Sequence, residues 1–418
     1  MSKKILIITT SGGSGHLQAA EAIKQDILEK DPNTEIFLKE LFLDFGFKYF
    51  GRLGIYVFNK SQKKGSVFCR EFLVKMLFIA DIVFYPKILI TFFNFLYKHD
   101  FDEIIDTQPV GNSSLIQAIK IYNKIKKRNL FLQKVIIDMP TKRSKHFFKS
   151  IKKLSDNNKK LIQIISFDPL LEDEKNETDF WQNNTGMPLE SVKYTKYFVR
   201  KSFEKIKNEN VKKDAFQIEI NFNNFTDISK KILDLSSSKY LKFNDKAYFI
   251  INKNDKLITI LLGSQPAISA TVNYVKEMIE IMKNIDFLSD HYLFVYLENE
   301  KIMFEHIVKL IQDESSFPKN LKIIPMSFQT EETIARLFFR SDITITKSGG
   351  ATTIELLTVA NGKTLIHSDE ENKDPLKGIP YWEAGNALYL KNKRKAEFVN
   401  PKTLKNLIFH SLESQGCE

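Results

Sequence analysis

Residues 342–355 read Asp-Ile-Thr-Ile-Thr-Lys-Ser-Gly-Gly-Ala-Thr-Thr-Ile-Glu, and this stretch predicts the fold. The run at 343–346 is typical of a buried strand, and a helical pattern follows at 352–359. A strand, a glycine-rich turn and a helix in this order are typical of parallel α/β sheets, which bind ligands at the carboxyl ends of their strands. Backbone N–H groups at such a helix N-terminus suit a diphosphate.

Two more glycine-rich turns follow predicted strands. Residues 11–16, Ser-Gly-Gly-Ser-Gly-His, lie between a strand at 5–9 and a helix at 17–29, and Leu-Gly-Ser-Gln-Pro at 262–266 ends a strand at 257–262. Glycine lets the backbone approach a ligand closely, although a tight turn needed only for chain reversal has the same composition. The first turn has neither the dinucleotide-binding Gly-x-Gly-x-x-Gly spacing nor the Gly-Lys-Ser/Thr of a phosphate-binding loop.

Apolar runs alternate with helical patterns along most of the chain, which predicts two doubly wound α/β domains. The remaining predicted strands lie at 35–38, 103–106, 134–138, 161–167, 292–297, 322–325 and 364–367, and the remaining helices at 270–283, 301–312, 331–339 and 401–414. We predict an N-terminal domain at 1–200, a connection with an irregular insertion at 201–255, a second domain at 256–400 and a C-terminal helix at 401–418.

Composition limits the partners and the compartment. The 418 residues contain 62 Lys+Arg and 51 Asp+Glu, a net charge of +11, which favours an anionic partner such as nucleic acid, a phosphorylated ligand or a membrane. A biased coding composition explains the lysines equally well. Two cysteines exclude a disulfide scaffold and favour the cytosol. Five charged residues interrupt the apolar region 67–97, so no membrane span is predicted.

The glycine-rich pieces, in this order, resemble those of the GT-B glycosyltransferases, specifically the group of MurG and monogalactosyldiacylglycerol synthase (glycosyltransferase family 28-like). The pieces are residues 11–16, 261–265 and 342–355, together with Tyr-Phe-Val-Arg at 197–200, which is similar to an element that closes the family's N-terminal domain. The resemblance implies the GT-B fold, in which two Rossmann-like domains face each other across a cleft.

The resemblance also implies an inverting, metal-independent transfer of a sugar from a UDP-sugar co-substrate, with no other cofactor. His16 would act on the acceptor hydroxyl, next to an acceptor-side loop of Gly12, Gly13 and Gly15. The residues implied for the donor are Arg200, Ser264, Phe328, Gly349, Gly350, Thr352, Thr353, Glu355, Asp374 and Lys377. An inverting displacement needs a base and stabilisation of the leaving diphosphate, and a neutral imidazole beside a helix N-terminus suits the first task.

Simpler roles exist for two of these residues. His16 also fits a solvated capping position, and Glu355 fits a favourable charge in the first turn of a helix. The matching stretch at 374–381 lacks the Gln that is usual in the family's sugar-reading segment, so the donor sugar stays open.

A basic stretch and an apolar stretch in the N-terminal half point to the acceptor. Residues 120–160 contain 14 Lys or Arg and two Asp, and residues 72–97 mix Phe, Leu and Ile with isolated Lys. An aromatic and aliphatic face with lysines suits shallow insertion into an anionic leaflet. We therefore predict a lipid or lipid-linked acceptor and a cytoplasmic protein that associates peripherally with the membrane. A core helix beside a solvated charged face has the same pattern.

Two other functions are open. One is a UDP-sugar epimerase or hydrolase of the same fold, which needs an extra carboxylate near His16. The other is a non-catalytic protein that binds a nucleotide-sugar or a lipid. A nucleic-acid partner is not predicted, because the basic stretch contains no recognition motif.

Overall fold

The N-terminal sheet has six parallel strands in the order β2-β1-β3-β4-β5-β6. The computed structural model describes residues 2–12, 15–209, 215–221, 227–243, 246–283, 289–298, 301–314, 316–370 and 374–413. The strands are β1 (Lys4–Thr9), β2 (Glu35–Glu40), β3 (Glu103–Asp106), β4 (Leu132–Val135), β5 (Ile162–Ser166) and β6 (Val192–Tyr194). The helices are α1 (Gly15–Lys30), α2 (Lys48–Lys63), α3 (Val67–His99), α4 (Asn112–Lys126), α5 (Lys145–Lys152), α6 (Asp156–Lys159) and α7 (Glu177–Thr185).

The central strands of this sheet were predicted because parallel strands covered by helices on both faces read as continuous apolar runs. Ile5 to Ile8 of β1 are all buried. The edge strand β6 was missed, because its three residues are only partly covered. Short turns of irregular helix occur at Leu41–Phe45 and Leu189–Ser191.

The prediction of an irregular insertion at 201–255 was wrong. After α8 (Lys201–Asn208), the chain forms β7 (Ala215–Asn221), α9 (Asp227–Leu235), β8 (Leu241–Phe243) and β9 (Lys246–Asn252), and the strands pair antiparallel in the order β7-β9-β8. Phe216, Ile218, Phe249 and Ile251 point inward and join the core of the second domain. Polar residues alternate with these apolar ones, which concealed the strands.

The second large sheet is also parallel, in the order β12-β11-β10-β13-β14-β15. Its strands are β10 (Lys256–Leu261), β11 (His291–Tyr296), β12 (Leu321–Met326), β13 (Ile343–Thr346), β14 (Lys363–His367) and β15 (Glu397–Val399). Its helices are α10 (Ile268–Lys283), α11 (Lys301–Gln312), α12 (Glu331–Arg340), α13 (Gly350–Val359), α14 (Tyr381–Arg394) and α15 (Leu404–Glu413), with single helical turns at Pro375–Gly378 and Pro401–Thr403. The two sheets confirm the prediction of two Rossmann-like domains.

Helices α2 and α3 form a hairpin that leaves much apolar surface exposed. Helix α3 continues for 33 residues, and by length and composition it could cross a membrane: an 18-residue window has a mean hydropathy of 1.9 and is 11% buried. From the sequence, the charged residues of this region were expected to exclude a membrane span. By length and composition they do not exclude one. Arg70, Ile88, Phe92 and Leu96 are the buried residues of α3.

Candidate active site

A cleft of about 920 Å³, including its open mouth, lies between the two large sheets. The N-terminal domain contributes Gly15 and Gln18 from the start of α1, and the second domain contributes the turns after β10 and β13. These turns stand at the carboxyl ends of their strands, which is where open α/β sheets bind ligands. Of the residues predicted from sequence, the cleft is lined by Gly15, Arg200, Ser264, Phe328, Gly349, Gly350, Thr352 and Glu355.

His16 lies in the first turn of α1, directly after the cleft-lining residue Gly15, but it does not itself line the cleft. Its Nδ1 is 2.7 Å from the backbone carbonyl oxygen of Thr107, which follows β3. A carbonyl only accepts hydrogen bonds, so Nδ1 carries the proton and Nε2 is the unprotonated nitrogen of the neutral ring. Burial lowers the pKa of His16 to about 4, although the Asp138 carboxylate opposes the shift. At neutral pH the imidazole is therefore uncharged, with one nitrogen able to accept a proton.

Of the described glycines that were predicted to form the acceptor-side loop, Gly15 lines the cleft and Gly12 does not. Gly12 is described but does not line the cleft, and its N–H donates to Thr10 Oγ1 at 3.4 Å. Gly13 lies outside the described residues. Ser11 donates from its N–H and from its hydroxyl to the Glu40 carboxylate, both at 2.9 Å, which fixes the turn against the end of β2.

The glycine-rich turn after β13 brings the N-terminus of α13 to the cleft, but its two glycines, Gly349 and Gly350, have different roles. A Cβ on Gly349, the N-cap, would meet no atom within 4 Å. A Cβ on Gly350 would lie 2.8 Å from Asp138 Oδ1 and 2.8 Å from the carbonyl oxygen of Ile137 in the other domain. Gly350 is therefore required for the two domains to approach, whereas Gly349 leaves room for a ligand.

Thr352 lines the cleft and Thr353 does not. The Thr353 side chain is fully buried, and its hydroxyl has no hydrogen-bond partner among the described residues. A residue one position further along a helix points about 100° away, so consecutive threonines do not share a face. Of the two threonines predicted to hold the diphosphate, the structure therefore places only Thr352 along the cleft.

Arg200 and Glu355 form an ion pair inside the cleft. Nε and Nη2 of Arg200 donate to Glu355 Oε1 at 2.8 and 2.6 Å. Burial raises the pKa of Glu355, and the Arg200 guanidinium opposes this shift. The pair joins the end of the N-terminal domain to α13. Arg200 was predicted to approach the pyrophosphate, but in this structure its charge is balanced by Glu355.

Asp374 and Lys377 are not placed along this cleft. Asp374 caps the turn at Pro375–Gly378 by accepting from the Leu376 N–H at 3.1 Å, and Lys377 lines a separate cavity. Glu383, in the first turn of α14, lines the cleft instead. Glu383 was not predicted as a site residue, because no glycine-rich turn after a predicted strand marks this position in the sequence.

A buried polar junction joins the domains beside His16, and it was not predicted from the sequence. Asp138 Oδ2 accepts from His146 Nε2 at 2.8 Å, and Asp138 Oδ1 accepts from Asn386 Nδ2 at 2.8 Å. Burial would raise the pKa of Asp138, but the hydrogen bonds from His146 and Asn386 hold it below its usual value. Asn386 also accepts from the Met139 N–H at 2.6 Å.

The basic stretch at 120–160 is partly neutralised within the fold. Lys134 is fully buried and donates to Asp106 at 2.6 Å. Lys142 pairs with Asp173 at 3.2 Å. Lys126 lies over the ring of Tyr97, 4.1 Å from its centroid, at the end of α3.

Within the part of the chain that the structure describes, no group of three or more His, Cys, Asp or Glu side chains could hold a metal ion.

Comparison of the coordinates with solved structures identifies the fold as GT-B. MurG of Acinetobacter baumannii matches 98% of this chain over 91% of its own, with a TM-score of 0.51 and 12% identity. Two further matches have TM-scores below 0.5. They are the glycosyltransferase SnogD of Streptomyces nogalater (TM-score 0.48, 11% identity, 100% of this chain and 92% of that chain covered) and a putative UDP-N-acetylglucosamine 2-epimerase of Listeria monocytogenes (TM-score 0.47, 10% identity, 99% and 88% covered). No family model and no curated protein sequence matches the chain.

Proposed function

We propose that the protein is an inverting, metal-independent glycosyltransferase that moves a sugar from a UDP-sugar to a lipid or lipid-linked acceptor at a membrane surface. The observation that carries this proposal is the tautomer of His16. The imidazole is fixed by Thr107 and is neutral, and it lies directly after Gly15, which lines the cleft together with the N-terminus of α13. The fold alone supports many activities, so the proposal rests on this site.

The two walls match the two halves of a displacement. Nε2 of His16 would take the proton of the acceptor hydroxyl as the oxygen attacks the anomeric carbon. The bond from that carbon to the diphosphate breaks, and the diphosphate leaves toward α13 and Ser264. Phe328, which is 71% exposed, and Ile334 also line the cleft, and they offer apolar surface to the nucleotide's uracil ring. The choice of UDP over other nucleotides rests on the sequence resemblance.

The exposed apolar face of the hairpin supports an acceptor that arrives from a membrane. Residues exposed on α3 recur every three or four positions and so form one stripe: Phe68, Phe72, Met76, Ile79 and Val83. A second exposed set lies on α2, at Tyr49, Phe50, Leu53, Tyr56 and Val57. A contiguous exposed apolar surface of this kind is typical of a binding surface.

The anchoring of α3 favours a helix that lies in the interface over one that spans the bilayer. Asp81, in the middle of α3, accepts from the Gly111 N–H at 3.0 Å, and Ile88 and the buried residues after it pack in the N-terminal core. From Arg70 to Ile88 the helix rises about 27 Å, less than the roughly 30 Å of a hydrocarbon core. Both ends of this segment are held by the protein, so we expect its exposed stripe to enter one leaflet only.

A thermal-shift screen of UDP, GDP, TDP and their sugars tests the donor. A nucleotide that binds the folded state raises the melting temperature, and we expect UDP and at least one UDP-sugar to do so. Turnover is then measured with that UDP-sugar and lipid extracts in detergent, as release of UDP. A preference for GDP or TDP would contradict the UDP assignment. Binding without any turnover would favour a non-catalytic binding protein.

Co-sedimentation with vesicles containing phosphatidylglycerol tests the membrane surface. The variant Phe68→Ser/Ile82→Ser/Val83→Ser removes three of the most exposed apolar side chains of α3, and we expect its binding to fall about tenfold or more. The control Leu241→Ser/Ile250→Ser/Ile302→Ser removes three exposed apolar residues from elsewhere and should bind like wild type. Equal binding by wild type and both variants would exclude this surface. Resistance of wild type to extraction at alkaline pH would instead indicate a spanning helix.

One observation favours a second candidate, the epimerase or hydrolase. That reaction needs a carboxylate near His16, and Asp138 is close enough to raise the His16 pKa. However, both carboxylate oxygens of Asp138 already accept hydrogen bonds. Conversion of a UDP-sugar in the absence of any acceptor, followed by chromatography of the sugar, would support this candidate.

A further inference from the structure

Arg70, in the first turn of α3, reaches out of the hairpin into the cleft between the domains. It is 2% exposed, yet it belongs to a largely apolar helix that the proposed function assigns to the membrane surface. Its Nη1 and Nη2 lie 3.8 Å from Glu383 and 3.9 Å from Asp369 of the second domain. A buried arginine facing the other domain, on a helix with so much exposed apolar surface, requires an explanation.

The guanidinium retains hydrogen-bonding capacity toward the cleft. Its hydrogen bonds run from Nε to the Ser66 carbonyl at 3.3 Å and from Nη2 to the Gly65 carbonyl at 3.4 Å, both beside the start of its own helix. The two carboxylate contacts exceed hydrogen-bond distance, so Nη1 forms no hydrogen bond with any described residue. A planar guanidinium with open donors matches a phosphate better than any other side chain does.

Lys347 brings a second cation to the same end of the cleft. It belongs to the turn that begins α13, and it lies beside Gly263, where an added Cβ would be 3.9 Å from Lys347 Cδ. Burial lowers the pKa of Lys347 to about 8, and the positive charge of Arg70 adds to this shift. The Glu383 and Asp369 carboxylates oppose this shift but do not cancel it, so the two neighbouring cations still favour a further anion.

We propose that Arg70 and Lys347 bind the diphosphate of the donor, so that the membrane-facing hairpin completes the donor site. This assignment rests on the proposed function and changes one part of it. Arg200 was expected to bind the donor diphosphate, but its guanidinium is paired with Glu355. The helix N-terminus of α13 and the two cations then face the diphosphate together. Donor binding and the seating of the hairpin against the second domain are thereby linked.

The test compares UDP with uridine by calorimetry, because only UDP carries the diphosphate. We expect Arg70→Gln and Lys347→Gln each to weaken UDP binding about 10- to 100-fold while uridine binding stays within about twofold. Arg52→Gln, which removes an exposed arginine from the same hairpin, should leave both affinities unchanged. Arg70→Lys keeps the charge and should retain most of the preference for UDP, which guards against a folding defect in Arg70→Gln.

The outcomes separate this proposal from the one on which it rests. If wild type binds UDP no better than uridine, the nucleotide-sugar function itself fails. If wild type prefers UDP and Arg70→Gln keeps that preference, the function stands and the role of Arg70 is wrong. An equal loss of UDP and uridine binding in Arg70→Gln and Arg70→Lys would show that Arg70 serves only the structure.

Discussion

Replacing Gly350 by alanine separates helix propensity from domain packing, because the two predict opposite signs. Gly350 is the first residue of α13, and alanine is favoured over glycine in a helix by up to about 1 kcal/mol. The alanine Cβ, however, would lie 2.8 Å from both the Ile137 carbonyl oxygen and Asp138 Oδ1. Neither oxygen can withdraw easily, since one belongs to the backbone and Asp138 Oδ1 accepts a hydrogen bond from Asn386, while His146 holds the other oxygen of the same carboxylate. Overpacking of this kind costs about 1–3 kcal/mol.

We expect Gly350→Ala to lower the stability by about 1–2 kcal/mol after the gain in propensity, which corresponds to roughly 2–8 °C in the melting temperature of a domain of about 150–250 residues. Gly349→Ala is the matched control, because its Cβ would meet no atom within 4 Å. Alanine is a poorer N-cap than glycine, so the control should lose only about 0.5 kcal/mol. Thermal unfolding followed by circular dichroism measures both. If Gly350→Ala melts at or above the temperature of Gly349→Ala, the domains do not meet at Gly350 as described.

Three further predictions concern the cleft. His16→Ala should lower turnover about 10²- to 10⁴-fold and leave UDP affinity unchanged, and intact turnover would exclude His16 as the base. In chemical denaturation, Arg200→Gln should destabilise the protein more than Arg200→Gln/Glu355→Gln does, because the single change leaves a buried carboxylate unpaired; additive losses would argue against the pair. UDP affinity should fall as pH rises through about 8, where Lys347 loses its proton, and this fall should be absent in Lys347→Gln. The charged groups that face this ammonium are Arg70, Glu383 and Asp369.

The parts of the fold that could be predicted are those whose burial is uniform. Strands such as β10 are buried at every residue. A parallel strand that is covered on both faces is a continuous apolar run in the sequence, and such a run is easy to recognise. Strand β9 alternates buried and exposed residues, with Asn and Lys on its outer face, and its partners are antiparallel. A half-covered strand in a Lys- and Asn-rich chain reads as a polar loop, which explains why the insertion was misjudged.

The same distinction applies to the site. His16 and the turn before α13 follow from local order, since a strand, glycines and a helix are contiguous in sequence. Asp138 and Asn386 meet across 248 positions, and Arg70 reaches carboxylates about 300 positions away on the other domain. No periodicity marks such pairs, because each residue read alone is an ordinary polar residue in a loop or on a helix.

The Asp138 junction also determines how the cleft can change shape. Asn386 donates to Asp138 and to the Ser348 carbonyl, and it accepts from the Met139 N–H, so one buried side chain ties both domains together. Separating the domains here would leave a buried carboxylate and a backbone N–H with fewer partners, which is costly. The contacts of Arg70 with the second domain are longer than hydrogen bonds and cost less to break. If the cleft opens, we therefore expect the contacts of the hairpin with the second domain to separate before the Asp138 junction does.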